Sequence, residues 1–446
     1  MRYSRKPQID LIAVTRGLEN NSLGPEEISA IGAFGCFEKK SSLDIWEEMK
    51  KLPEEKRKSK VRTVLKESAG RGHGSVADQN YFIYSMEDLP RVATLFLCGP
   101  EYLSHEQQSL RRATAERGFY LPEEIENSPL FKKTVRTLMN SFDFYQKAVE
   151  KGIPKEDARN ILPLYTRTNI QTGGDARELM HIRKMAQEKA IPSVVNYTVE
   201  KMVKEAECVA PAIFEDTGYN YEVLAWRPSS QLFAETNMTI KNLIEKNNFS
   251  ESLALLSYSA IDMDSEQIDD AVKNRNEAEL ANLKHVHFEF LVPMSLSCFH
   301  QATRQRTWNQ SVESLYDAAK RRQFIVPPKI KNSDLLDDYI HQNECMSDLY
   351  EELSQNIPPE EAIGVLPHSL QVYDLIHVDG WNAIHSIGKR TCTEAQWEIR
   401  DIAKEMSRHI KEKFSALGKY AEPQCITYGK CPERKPCGYI ESHSIE

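Results

Sequence analysis

A chain of 446 residues is too long for one ordinary compact domain and fits two. With 40% hydrophobic and 28% charged residues it can bury sizeable cores, and a net charge of −9 argues against a general nucleic-acid or anionic-membrane binder. No apolar run approaches the roughly 18 residues of a membrane span, the N-terminal stretch lacks a signal-peptide core, and most of the nine cysteines are scattered, which predicts reduced thiols in the cytoplasm.

In chain order, the short apolar run Ile9–Val14 reads as a strand. The aromatic alternation Tyr81-Phe-Ile-Tyr84 reads as a second strand with one buried face. Helical stretches follow, then the polar segment 216–220, whose Gly and Asn predict a boundary between units 1–218 and 219–446. The second unit opens on the strand-like Tyr221–Trp226, has a loop candidate at 245–252, and repeats the aromatic alternation at Val286–Phe290. Its last helix carries the apolar stripe Ile399, Ile402, Ala403, Met406, Ile410 and Phe414. Thr393 to Gln396 fits a capping box at its start.

The two units repeat one another. Ala158, Leu162 and Pro163 return as Ala362, Leu366 and Pro367 at an offset of 204 residues. Asp175 and His181 return at the same offset as Asp379 and His385, and Ser109-Leu110 returns as Ser314-Leu315. The expectation is an α/β (α+β) fold: two tandem copies of one unit, each with long helices and a small central sheet.

Several segments carry chemistry-bearing residues in order. The second unit has Gln301, Arg304-Gln305-Arg306, Glu313-Ser314, Arg390 and Ala395-Gln396-Trp-Glu398-Ile-Arg400. The first has Gly72-His73-Gly-Ser75-Val-Ala-Asp78, Ser109-x-Arg111, Ala158-Arg159-x-x-Leu-Pro163 and Asp175-Ala-Arg177-x-Leu-x-His181. Together they resemble the motif set of flavin-dependent thymidylate synthases, as of a tandem-duplicated, diverged, archaeal-type member, and the tail Cys425…Cys431…Cys437 is similar to a tail seen in part of that family.

The resemblance implies FAD, NADPH, dUMP and methylene-tetrahydrofolate or a related pterin, with hydride from reduced flavin and no attacking thiol. It implies catalytic roles for Arg304, Gln305, Arg306 and Arg390. Substrate would be bound by Gln301, Ser109, Arg111, Arg159, Glu313 and Ser314. Flavin would be bound by Ser75, Asp78, Asp175, Arg177, His181, Arg304, Arg306, Gln396 and Arg400. Planar Arg forks suit both phosphates and a flavin's polar edge.

The units have lost complementary parts of this set. The first has Gly99-Pro100-Glu101 where Arg-x-Arg is expected; the second has Ile363 for the phosphate arginine and Trp381 for the Asn-x-Arg arginine. The resemblance therefore implies a homodimer that mimics the family's homotetramer, with half of the sites intact. Gln305 in place of a histidine and Asp175 in place of an asparagine keep two alternatives open: a flavoenzyme acting on another pyrimidine nucleotide, and a non-catalytic nucleotide- or flavin-binding relative. The tail cysteines with His443 could make a Cys₃His zinc site, but without a Cys-x₂-Cys pair they read as packing thiols and no metal is expected.

Overall fold

The computed structural model describes residues 6–18, 23–215, 232–247, 250, 252–261 and 263–442. The expected boundary at 218/219, the Tyr221–Trp226 strand and His443 lie outside them, as does part of the 245–252 loop candidate. Two compact units interleave along the chain: Met1–Ser229 with Ser333–Pro367, and Ser230–Asn332 with His368–Glu446.

Each unit is built on a four-stranded antiparallel sheet. In the first, β1 (Gln8–Val14), β2 (Phe82–Pro90), β3 (Ser104–Gln107) and β4 (Arg167–Gly174) lie in the order β1-β2-β4-β3. In the second, β5 (Ala254–Ser259), β6 (His287–Ser295), β7 (Asn309–Val312) and β8 (Gln371–Asp379) lie in the order β5-β6-β8-β7. The same strand order twice is the duplication in three dimensions. The aromatic alternation works as expected: Phe82, Tyr84 and Met86 bury one face of β2, and Phe288, Phe290 and Val292 do so on β6.

The repeat extends to single hydrogen bonds. The Arg91 N–H donates to the Thr166 carbonyl, and the Leu296 N–H to the Leu370 carbonyl. Arg91 and Leu296 each open the helix that follows the unit's second strand, Arg91–Leu97 and Leu296–Ala302. Asp175 and Asp379 both cap helices, accepting from the Glu178 and Asn382 N–H groups at 2.8 Å. An N-cap oxygen satisfies an otherwise orphaned helix donor, so this motif match has a folding reason of its own.

Two helices of the first unit come from equivalent places in the repeat, Phe131–Glu150 and Leu336–Ser354. The Gln342 amide donates to the Thr137 carbonyl at 3.0 Å, and Phe144 packs on Tyr339. Pro163 and Pro367, twins in the repeat, form an antiparallel bridge.

The last long helix is Trp397–Lys413, and Ile399, Ala403, Met406 and Ile410 are buried along it as expected. Its cap differs from the expectation: Gln396 is the N-cap and accepts from the Ile399 N–H at 3.3 Å. Residues 391–395 form a separate turn, so the capping-box reading of Thr393 is corrected.

One core carboxyl is unusual. Asp374 on β8 is fully buried, and burial pushes it up to about 7 although the Gln310 amide donates to it at 2.6 Å. Such a group destabilises the fold once the unfolded chain can ionise, from about pH 4 upward, and the penalty levels off above pH 7. Asp374→Asn, which can still accept from Gln310, is expected to raise stability at pH 8 by up to about 4 kcal/mol. Urea midpoints at pH 8 and pH 4 check this: the gain should vanish at pH 4.

Candidate active site

In the first unit, the turn Gly74–Gln79 lies against the start of the helix Ala176–Ala186. The Arg177 guanidinium donates to Asp78 at 3.1 Å. It lies so close to Gly74 that a Cβ there would meet Nε at 2.7 Å and push the side chain aside. Ser75 is exposed beside this pair. Asp175, mostly buried, is pushed up to about 6 by burial, partly offset by the Glu178 N–H and reinforced by Asp78. His181 is buried three residues along the helix from Glu178, with Nδ1 3.3 Å from its carboxylate. Asp175 and Arg177 thus share one polar rim with Asp78, while His181 turns into the core.

The phosphate candidates separate into two kinds. Arg111 is half-buried and donates to Glu156 at 2.7 Å, and Ser109 accepts from the Arg111 N–H at 3.2 Å. Arg159 is 7% exposed and stands near Arg91, which is 6% exposed. Arg91 is pushed down to about 9, first by burial and then by the Arg159 charge. Two buried guanidiniums close enough for one charge to disfavour the other repel in a low dielectric and favour an anion nearby. Arg91 was not among the motif residues. Its signal was its place directly after Pro90 at a strand end, where the twin residue in the second unit is the apolar Leu296.

In the second unit, the expected catalytic residues fall partly together. Turned with its amide oxygen toward Arg390, Gln305 accepts from Nη2 at 2.5 Å and from Nε at 2.8 Å. Arg390 ends a helical run that includes a π-helical stretch, Ala383–Ile387. Such wide turns are frequent at functional sites. The Trp308 indole donates to Ser386 in this stretch at 2.6 Å, holding the loop after Arg306 against it. Arg304 and Arg306 are exposed.

Gln301 donates to the Ser297 carbonyl at 3.3 Å and to Gln396 Oε1 at 3.4 Å. Gln396 is fully buried, and its Nε2 has no hydrogen-bond partner among the described residues. Glu398 receives both the N–H and the hydroxyl of Ser295 at 2.6 Å, which ties the last helix to the end of β6. Arg400 is half-buried and donates to the Thr393 carbonyl at 3.3 Å.

Two other substrate candidates are engaged in folding contacts. Glu313 is 2% exposed and receives Arg321 in a two-pronged ion pair at 2.7 and 2.8 Å. Ser314 caps the helix Leu315–Arg321, accepting from the Tyr316 N–H at 3.2 Å.

A family model described as thymidylate synthase complementing protein matches residues 18–212 and again 240–415. The chain belongs to that family. The double match is the sequence duplication seen independently. Flavin-dependent thymidylate synthases are among its relatives. That of Geobacter sulfurreducens is 30% identical over 44% of this chain and 82% of its own length. That of Pyrococcus abyssi is 31% identical over 34% and 68%. A UMP/dUMP methylase, PolB from Streptomyces cacaoi, covers 49% of this chain and 97% of its own at 16% identity and a TM-score of 0.41. The expected class, an enzyme of the flavin-dependent thymidylate synthase type, is thereby met.

No helix among the described residues is long and apolar enough to cross a membrane. Cys392 joins the tail residues Cys425, Cys431 and Cys437 around one cavity of about 440 Å³. No disulfide joins any of the nine cysteines, and among the described residues no three His, Cys, Asp or Glu side chains are grouped as metal ligands.

Proposed function

We propose that this family member converts dUMP to dTMP, using reduced flavin and a methylene-pterin donor, with NADPH as electron source. The observation that carries the reading is the Arg91–Arg159 pair, a buried double positive charge at the place of the motif's phosphate arginine. It would hold the nucleotide's 5′-phosphate by charge-assisted hydrogen bonds.

The residues present fit a flavin. The first unit offers the rim of Ser75, Asp78, Asp175 and Arg177, where Arg177 lies close over Gly74. The second offers Arg304 and Arg306, the half-buried Arg400, and the Gln396 Nε2 donor, buried without a partner among the described residues. When bound, flavin supplies the hydride and the pterin supplies the carbon.

The protein's part is positioning and charge. Arg304, Arg306 and Arg390 stabilise negative charge on the pyrimidine and flavin edges. Gln305 orients Arg390 and holds no titratable proton, unlike a histidine at this place. Asp175 can take up a proton near pH 6, which limits negative charge on the rim.

Because the units keep complementary residues, we propose that flavin and phosphate elements come from the first and the arginine clamp from the second. A cytoplasmic homodimer with about one flavin per chain follows from that reading. The visible spectrum of purified protein, with and without dUMP, tests it: near-stoichiometric flavin perturbed by dUMP supports it, and absence of flavin even after FAD addition overturns it. Arg304→Ala is expected to lower flavin occupancy severalfold; unchanged occupancy would sink the clamp assignment. Substitution of Gln for His at 305 favours one second reading, action on another pyrimidine nucleotide. UMP in place of dUMP in the same titration separates the two.

A further inference from the structure

In the first unit, Asp78 on the turn before β2 meets Arg177 at the second position of the capped helix. The second unit repeats this corner with different residues. The turn Leu283–His285 before β6 lies against the helical residues Gly380–Asn382, and Gly380 is so close that a Cβ would meet the Leu283 carbonyl at 2.8 Å. Lys284 stands where Asp78 does, and Trp381 where Arg177 does.

This corner opens into a cavity of about 810 Å³, within the range of small-molecule sites. Its lining includes Arg275, Lys284 and Lys430 as cations, Trp381 and Tyr428 as aromatics, and Glu277 as an acid. None of the three basic side chains makes an ion pair among the described residues, in a chain whose net charge is −9.

The aromatics are held in place. Trp381 lies parallel to His385 at an interplanar angle of 6°, with centroids 6.1 Å apart. The Arg275 guanidinium lies over the Tyr428 ring at 6.0 Å. Arg275 also has φ of +52°, a left-handed conformation normally left to glycine at a helix end. Arginine there costs on the order of 1 kcal/mol relative to glycine, and the charge it delivers to the cavity is a return for that cost.

We propose that this cavity of the second unit binds a planar heteroaromatic compound carrying at least two negative charges, its ring stacked on Trp381 and its anionic groups met by Arg275, Lys284 and Lys430. A nucleoside phosphate and a pterin carboxylate share that chemistry. The site stands on its own geometry and does not depend on the reaction proposed above.

The test titrates the full-length protein with NADPH and, separately, with 5-formyltetrahydrofolate, by calorimetry. The wild type is compared with Lys284→Glu/Lys430→Glu, with Trp381→Ala and with Trp381→Phe. At least one probe is expected to bind wild type and to lose ten-fold or more in affinity on charge reversal and in Trp381→Ala, with recovery in Trp381→Phe. Flavin content and dUMP affinity should be unchanged in the double lysine variant, which separates this site from the proposed active site. The two lysines are exposed, so the variant is expected to fold. Which probe responds identifies phosphate or carboxylate as the anion. Failure of both probes to bind at millimolar concentration, or binding unaffected by the substitutions, would overturn the proposal.

Discussion

Replacing Arg91 by leucine and Arg159 by isoleucine is expected to weaken dUMP binding by a hundredfold or more while the first unit stays folded. These are the residues the second copy of the repeat carries at the same two places, Leu296 and Ile363, and both are fully buried. Each charge-assisted contact to a phosphate contributes about 1.5–3 kcal/mol. Two of them correspond to two to four orders of magnitude in affinity. Folding should survive, because the change removes two charges that repel each other in a low-dielectric setting. Calorimetric titration with dUMP and a melting curve read the two effects separately. Tight dUMP binding by the folded double variant would remove the observation on which the proposed function rests.

Arg321→Met is expected to destabilise the second unit by about 3–5 kcal/mol, because it strands the Glu313 carboxylate in the interior. Among the described residues, only the Tyr373 N–H, 3.1 Å away, would remain as a donor to it. Adding Glu313→Gln should recover most of the loss, since an amide is cheaper to bury than an ion. Denaturant midpoints of the single and double variants check this. The same pair tests the substrate role expected for Glu313. If Glu313→Gln alone weakens dUMP binding without altering stability, the carboxylate serves the ligand and not Arg321.

What the sequence showed and what it concealed follow from range. Strand period, helix stripe and repeat offset are local or one-dimensional patterns, and β2, β6 and the stripe from Ile399 to Ile410 lie where they were expected. Asp175 and Asp379 matched each other at the repeat offset, and both prove to be helix caps. The Arg91–Arg159 pair was hidden because its members are far apart in sequence and meet only once β2 and β4 have paired. Gln305 and Arg390 meet for a similar reason, across the loop pinned by Trp308. The Gln396 cap was mistaken because a Thr-x-x-Gln pattern fits a helix start one turn too early, while the chain makes a separate turn before the helix begins.

The bridge between Pro163 and Pro367 has an evolutionary side. Around it, Tyr165 donates its N–H to the Gly364 carbonyl, and any side chain at 364 would run into the Tyr165 ring. The twins of these residues at the repeat offset are Ser369 and Asn160, with the sizes reversed. Two identical polypeptides related by a dyad must carry every such change in both places at once. A gene that encodes both partners escapes that obligation. Bulk can migrate to one side and a gap to the other, and each half becomes committed to its mate. Such a chain would be hard to split back into two interchangeable proteins, because neither half any longer fits a copy of itself.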